Sequence, residues 1–204
     1  MTTALGVSTR LPVLTESALA KMSTRTGVTV VLGAALTALA AQVVVPIPGS
    51  PVPVTGQTFG VLLAAASLGP VRGLASQLLY VALGAAGLPV FTQGAHGVQV
   101  LVGPTGGYLV GFLLASIIVG TGSRLGAGRT MLRQLAVLAL GSMAIYACGV
   151  TWLAIVTGMG VANAVAVGVA PFLIGDSLKT LLAASFLTTT WKQVASLEST
   201  GPAQ

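Results

Sequence analysis

Two opposite charges, Asp176 and Lys179, stand three residues apart inside the apolar stretch PFLIGDSLKTLL. A spacing of i,i+3 puts both on one helix face. Each such charge costs about 2.5–3.5 kcal/mol at the middle of a bilayer on insertion scales, so ionisable groups inside a span mark ligand or ion sites. The competing reading is a self-neutralising pair that holds helices together. If the helix opens near Pro171 at the outer surface, both charges lie about 8–12 Å deep at 1.5 Å per residue. That opening end also directs a positive dipole outward, which suits an anionic ligand.

Other polar groups cluster around the same end of the sequence's apolar runs. In VTGQTFG, Thr55, Gln57 and Thr58 open a span, and an amide there can both donate and accept. Thr55 as a helix cap, or Gln57 as an interhelical bond, is the structural alternative. Tyr108 follows a loop and Tyr146 falls within a span, where a phenol needs a partner. Phe91 and Gln93 belong to a loop that can close over a ligand. His96 reads as loop surface, and Trp152 and Trp191 as anchors at the membrane interface.

Catalysis is not indicated. The chain has three acids, one histidine and one cysteine, with no metal-ligand spacing and no Gly-x-Ser-x-Gly elbow. No Gly-x4-Gly-Lys-Ser/Thr loop is present, so ATP hydrolysis by that route is excluded and no cofactor is expected. Cys148 has no partner for a disulfide within the chain.

These groups are carried by elements that composition assigns to lipid. Apolar types make up 54% of the 204 residues and charged types 6%, whereas a soluble domain carries roughly a quarter charged residues. The net charge of +6 does not indicate nucleic-acid binding, because the basic residues are scattered between apolar runs rather than gathered in a patch.

Runs near the ~20 residues that a span needs fall at 28–45, 55–68, 71–88, 108–122, 132–157 and 171–191. The second and third are short, either tilted spans or a re-entrant pair. Arg10, Lys21 and Arg25 precede the first run, the short turn 69–73 between the second and third carries Arg72, the connection 123–131 carries Arg124 and Arg129 with Arg133 just beyond, and Lys192 follows the last. The intervening connections carry no Lys or Arg. By the positive-inside rule the charged connections are cytoplasmic.

The expectation is an all-α membrane protein, a bundle of six transmembrane helices with both termini cytoplasmic. Its organisation is a tail over 1–26, a membrane domain over 27–192 and a tail over 193–204. The outer connections are unusual. Pro46, Pro48, Pro51 and Pro53 enforce extended backbone in one. The other, LPVFTQGAHGVQVLVGPTGG, is too apolar for a free aqueous loop. Irregular backbone near lipid requires a covering or a cavity, so both loops are expected to fold over the outer mouth. Gly103, Gly107 and Gly111, and the pair Gly56 and Gly60, favour close helix contact, and Ala34 and Ala38 make a small-xxx-small stripe in the first span, which spacing alone assigns neither to packing within the bundle nor to a flat face for a partner helix.

The runs PVPVTGQTFGVLLAAASLGPVRG (51–73), GLPVF (87–91), GPTGGYLVGF (103–112) and PFLIGDSLK (171–179) resemble the BioY family, the biotin-specific S components of energy-coupling factor (ECF) transporters. The resemblance covers about 28–191, and its motifs in this order are specific. It implies a six-helix bundle that captures biotin from outside, in a prokaryotic cell membrane. It also implies a transmembrane coupling subunit and two ATP-binding-cassette ATPases as partners. Asp176 and Lys179 fall on the family's Asp-x-x-Lys at the biotin pocket. Thr55, Gln57 and Tyr108 lie in matching runs, while Ala34 and Ala38 match an Ala-xxx-Ala surface toward the coupling subunit. Asp176 would accept a ureido N–H, Lys179 would meet the valerate carboxylate, and Phe91 and Tyr146 would pack the bicyclic body. The alternatives are an S component for another vitamin or a self-sufficient proton-coupled permease.

Overall fold

A computed structural model describes residues 26–199. The tail expected over 1–26 lies outside them apart from Thr26, as does the end of the tail expected over 193–204. The chain runs through α1 (Thr26–Ala40), β1 (Val44–Val45), β2 (Val54–Thr55), α2 (Gln57–Ala85), a 3-10 turn (Thr92–Gly94), α3 (Val98–Val102), α4 (Gly106–Arg124), a second 3-10 turn (Ala127–Arg129), α5 (Met131–Thr157), α6 (Val161–Gly168) and α7 (Phe172–Ser199).

The two short runs join in α2 as a hairpin. Gly69 has φ 78° and ψ 178°, backbone that glycine adopts at no steric cost. Pro70 follows at the start of the second arm, where its missing N–H is harmless. A Cβ built on Gly73 would lie 3.0 Å from Ala65 Cα. In a continuous helix eight residues are about 12 Å apart, so the two arms are antiparallel neighbours.

The hairpin crosses the bundle rather than re-entering. A Cβ on Gly120, in the last turns of α4, would run into the Gly69–Pro70 backbone. The hairpin turn thus sits level with the arginine end of α4. With α1, the two arms of α2, α4, α5 and α7, the bundle has six membrane helices, and the chain returns to the side on which it starts. On length and hydropathy α4 and α5 qualify as spans individually, as do α6 and α7 as a pair bent by 50°, while α1 and the two arms of α2 are shorter apolar helices.

Small residues set the helix spacing. A Cβ on Gly111 would come within 2.7 Å of Ile145 Cα, and one on Gly60 within 3.1 Å of Thr37 Cα, so α4 meets α5 and α2 meets α1 backbone to backbone, as the glycine spacing suggests. Val61, Ala65, Ala115, Val119, Leu138, Ile145 and Leu187 fill the centre. Large apolar side chains also face outward, Ile174 86% and Leu132 78% exposed among them, as a chain in lipid requires.

Three expectations change. Ala34 is only 3% exposed and belongs to the core, with Ala38 half-buried against it. The outward face of α1 is instead Val28, Leu32, Ala35 and Leu39, because Gly33, Ala34 and Thr37 are the small residues that let α1 reach α2. Trp191 is buried beneath Gly128 of the second 3-10 turn, and Trp152 Nε1 donates to Gly103 O at 2.9 Å. Both indoles tie loops to helices rather than marking the interface. The connection before α2 carries a two-residue antiparallel ladder, Val44 with Thr55 and Val45 with Val54, since its prolines hold extended backbone.

Candidate ligand-binding site

The outer loops and the outer ends of the helices enclose a cavity of about 270 Å³. Val52, Pro53 and Thr55 come from the proline-rich connection, Gln57 and Thr58 from the first turn of α2. Phe91, Thr92, Gln93, Ala95, Gln99 and Val100 come from the second outer connection. Gly103, Pro104 and Thr105 before α4, Tyr108, Leu109 and Phe112 of α4, Tyr146 of α5 and Phe172 of α7 complete the walls. The lining carries no formal charge.

The loops are pinned from several directions. Gly56 N donates to Val43 O at 2.9 Å and Gly97 N to Gly84 O at 2.7 Å. Gln42 Nε2, at the end of α1, donates to Phe91 O at 3.1 Å. Ser50 Oγ lies 2.8 Å from Val167 O, joining the tip of the proline-rich loop to α6. Such side-chain and backbone bonds satisfy irregular backbone that lipid cannot.

Gln57 is 8% exposed and densely bonded. Its Nε2 donates to Tyr80 OH at 2.7 Å, while its Oε1 accepts from Thr55 Oγ1 at 2.9 Å and from Thr92 Oγ1 at 3.1 Å. Thr55 Oγ1 also accepts the Gln57 backbone N–H at 3.2 Å. The threonine therefore holds the first backbone N–H of α2 from just outside the helix and orients the amide at once. The Phe91 ring is buried edge-on to Tyr80, centroids 5.4 Å apart.

Tyr108 donates to Gly168 O at 2.8 Å and stacks on Phe172 with centroids 6.4 Å apart. Its proton is spent on holding α6 to α4, so toward the cavity it offers the ring and an acceptor oxygen but no donor. Gln93 and Gln99 are exposed at the rim, Gln93 at a left-handed φ of 58°. His96 is exposed on the same loop, its Nδ1 3.2 Å from Gly94 O.

Asp176 and Lys179 stand one layer behind the wall. Asp176 is 4% exposed. Its Oδ1 accepts from Lys179 Nζ at 2.7 Å and Thr58 Oγ1 at 3.0 Å, and its Oδ2 from Tyr146 OH at 2.6 Å. Lys179 Nζ also donates to Thr55 O at 2.6 Å. Neither side chain lines the cavity. Asp176 instead borders a second, more open hollow of about 350 Å³ between α5 and α7, and Tyr146 separates the two. The pair is thus both self-neutralised and joined to the site through Thr55, Thr58 and Tyr146. A buried carboxylate with three donors is the arrangement that low dielectric demands.

Sequence reasoning passed over Tyr80, Thr92, Phe112 and Phe172. Two of these had a positional signal: Phe112 is i+4 from Tyr108 and Phe172 is i−4 from Asp176, so each shares a helix face with a residue already singled out.

The chain matches the BioY family model over residues 14–196, reaching further into the N-terminal segment than the motifs do. It is 42% identical over 150 residues to a probable biotin transporter BioY of Pyrococcus horikoshii, covering 74% of this chain and 86% of that one. It is 41% identical over 140 residues to a biotin transporter BioY of Thermotoga maritima, covering 69% and 81%. The crystal structure of an S-component for biotin from an ECF-type ABC transporter superposes with a TM-score of 0.77 over 84% of this chain and 93% of that one, at 24% identity, which establishes the common fold. A family model spanning most of the chain, relatives above 40% identity and a shared fold agree: the chain belongs to the BioY family.

Proposed function

We propose that the chain is the biotin-capturing S component of an ECF-type importer in a prokaryotic cell membrane. The observation that carries this reading is the uncharged, aromatic-walled cavity at the outer end of the bundle. Biotin's bicyclic body is apolar, and its ureido head has two N–H donors and one carbonyl acceptor. Phe91, Tyr108, Phe112 and Phe172 suit the body. Thr58 and Tyr146 both donate to Asp176, so their oxygens keep lone pairs for ureido N–H groups. Asp176 then serves the ligand through two hydroxyls that it orients. Gln57 faces the carbonyl. The valerate carboxylate stays at the wet rim by Gln93 and Gln99, because nothing charged lines the interior to meet it.

Lys179 pairs with Asp176 and ties the pair to the Thr55 backbone. Uptake draws its energy from partners, a transmembrane coupling subunit and two ATP-binding-cassette ATPases, since the sequence has no phosphate loop of its own. Isothermal titration of the purified chain in detergent tests the reading. Stoichiometric binding of biotin, with no binding of thiamine or riboflavin, is expected. Heat released by either other vitamin and none by biotin would reassign the ligand.

A further inference from the structure

Gln57 is a side chain whose polarity toward the cavity is fixed by its neighbours. A primary amide has two N–H donors and an oxygen with two lone pairs. Both lone pairs are taken, by the hydroxyls of Thr55 and Thr92, and one N–H goes to Tyr80 OH. One N–H remains, so Gln57 offers the cavity a donor and no acceptor.

The opposite orientation of the amide is disfavoured by a count of protons. The Thr55 hydroxyl already accepts the Gln57 backbone N–H at 3.2 Å, and its own proton needs an acceptor. The Thr92 hydroxyl proton needs one too, and Gln57 Oε1 lies within 3.1 Å of both oxygens. Turning the amide would give the Tyr80 proton an acceptor, but it would aim N–H groups at both threonine hydroxyls and leave two protons without that acceptor in place of one. An unpaired polar group in a buried site costs about 1–3 kcal/mol.

Tyr80 closes this network from outside the cavity. It is 1% exposed, sits on the second arm of the α2 hairpin and does not line the site. Its hydroxyl receives the other Gln57 N–H, and its ring sets Phe91 edge-on. One buried side chain thereby supports a polar and an aromatic wall from two different segments.

We propose that Tyr80 is a positioning residue that holds Gln57 as a hydrogen-bond donor to the ureido carbonyl of the ligand. The inference rests on the reading that the cavity binds biotin. The carbonyl is preferred over the carboxylate because Gln57 is enclosed and the cavity lining around it carries no formal charge, while the exposed rim is where an anion keeps its water.

Tyr80→Phe removes one oxygen and leaves the ring against Phe91. The test titrates the full chain and this variant with biotin and with 2-thiobiotin, in which a sulfur, a weaker acceptor, replaces the ureido oxygen. The wild type is expected to prefer biotin. The variant is expected to bind biotin about fivefold to tenfold more weakly, the scale of one hydrogen bond, and to lose most of its preference over the thio analogue. An equal loss for both ligands, or no loss, would overturn the proposal, the former by making Tyr80 merely structural. Gln57→Glu supplies an acceptor-only side chain of the same shape and is expected to weaken biotin binding by more than about a hundredfold. Wild-type affinity in that variant overturns the donor assignment. A wild-type chain that fails to bind biotin would instead remove the functional reading itself.

Discussion

Tyr146 OH and Asp176 Oδ2 meet at 2.6 Å, joining the middle of α5 to the second turn of α7 at the boundary between two cavities. The bond puts a charge that lipid would reject within reach of a ligand that never has to touch it. It also makes α7 dependent on the site for its polar satisfaction, because the other Asp176 oxygen is held by Thr58 at the start of α2 and by Lys179.

Asp176→Asn tests how the carboxylate acts. The amide has one oxygen and two N–H groups where three donors now converge, so at least one of them loses its acceptor and the hydroxyls of Thr58 and Tyr146 are no longer both held with their lone pairs toward the cavity. Biotin affinity is expected to fall by more than about a hundredfold, since one hydrogen bond to a charged group is already worth about 1.5–3 kcal/mol. Tyr146→Phe removes only one of the contacts and is expected to cost about tenfold. Equilibrium titration of the two purified variants measures both. Equal, small losses would show that Asp176 has no part in presenting the site.

Breaking the ion pair from its other side separates stability from binding. Lys179→Met leaves Asp176 buried and without its countercharge, and removal of one partner of such a pair typically costs about 3–5 kcal/mol. The thermal transition of the detergent-solubilised variant is expected to fall clearly. The double variant Asp176→Asn with Lys179→Met should recover part of that loss, because no lone charge remains. Additive losses in this double-mutant cycle would mean that the two residues are not coupled.

The membrane frame was legible because each of its determinants is local. Arginines at alternate connections fix sidedness, and Gly69–Pro70 between two short apolar runs marks a turn. The i,i+3 spacing of Asp176 and Lys179 makes them a pair wherever the helix packs. Which way that pair turns is not local. Thr58 and Tyr146 capture Asp176 from helices 118 and 30 residues away in sequence, and no periodicity encodes that. Ala34 was misplaced for a similar reason. In an apolar helix, alanines on both faces look alike, and only the approach of α2 to Gly33 and Thr37 decides which face is inside.

That correction has a measurable consequence. Leucine at position 34 must fit where the core leaves 3% exposure, and overpacking of this kind costs about 1–3 kcal/mol. Ala34→Leu is therefore expected to lower the melting temperature of the isolated chain with no partner present. Ala35→Leu, on the exposed face, should leave it unchanged. A reversed order would put Ala34 on an outer face after all.

Gly84 gives a probe of the aromatic wall that adds a methyl instead of deleting a ring. A Cβ there would collide with the Phe91 ring, which is 1% exposed and packed on Tyr80. Gly84→Ala lies inside a helix, where the exchange alone favours folding by about 1 kcal/mol. Any loss must then come from displacing Phe91. Weaker biotin binding is expected, with a loss in stability that Phe91→Leu, a smaller ring-free side chain, partly relieves. Unaltered binding in Gly84→Ala would show that the wall yields without consequence for the site.

Sidedness can be tested by labelling. Cys148 is the only cysteine and is half-buried in α5, so Cys148→Ser provides a clean background. Gly49 lies in the proline-rich connection over the cavity, is exposed and leaves open space for an added Cβ, and its left-handed φ of 77° makes a cysteine there cost about 1–2 kcal/mol of local strain. Arg129 is exposed in the 3-10 turn at the opposite, arginine-bearing end. In whole cells, a membrane-impermeant maleimide is expected to modify Gly49→Cys and to spare Arg129→Cys until the membrane is opened. Saturating biotin should then slow labelling at position 49 and leave position 129 unaffected, because only the former loop roofs the cavity. Labelling of 129 alone in intact cells would invert the charge-based orientation and move the cavity to the cytoplasmic side.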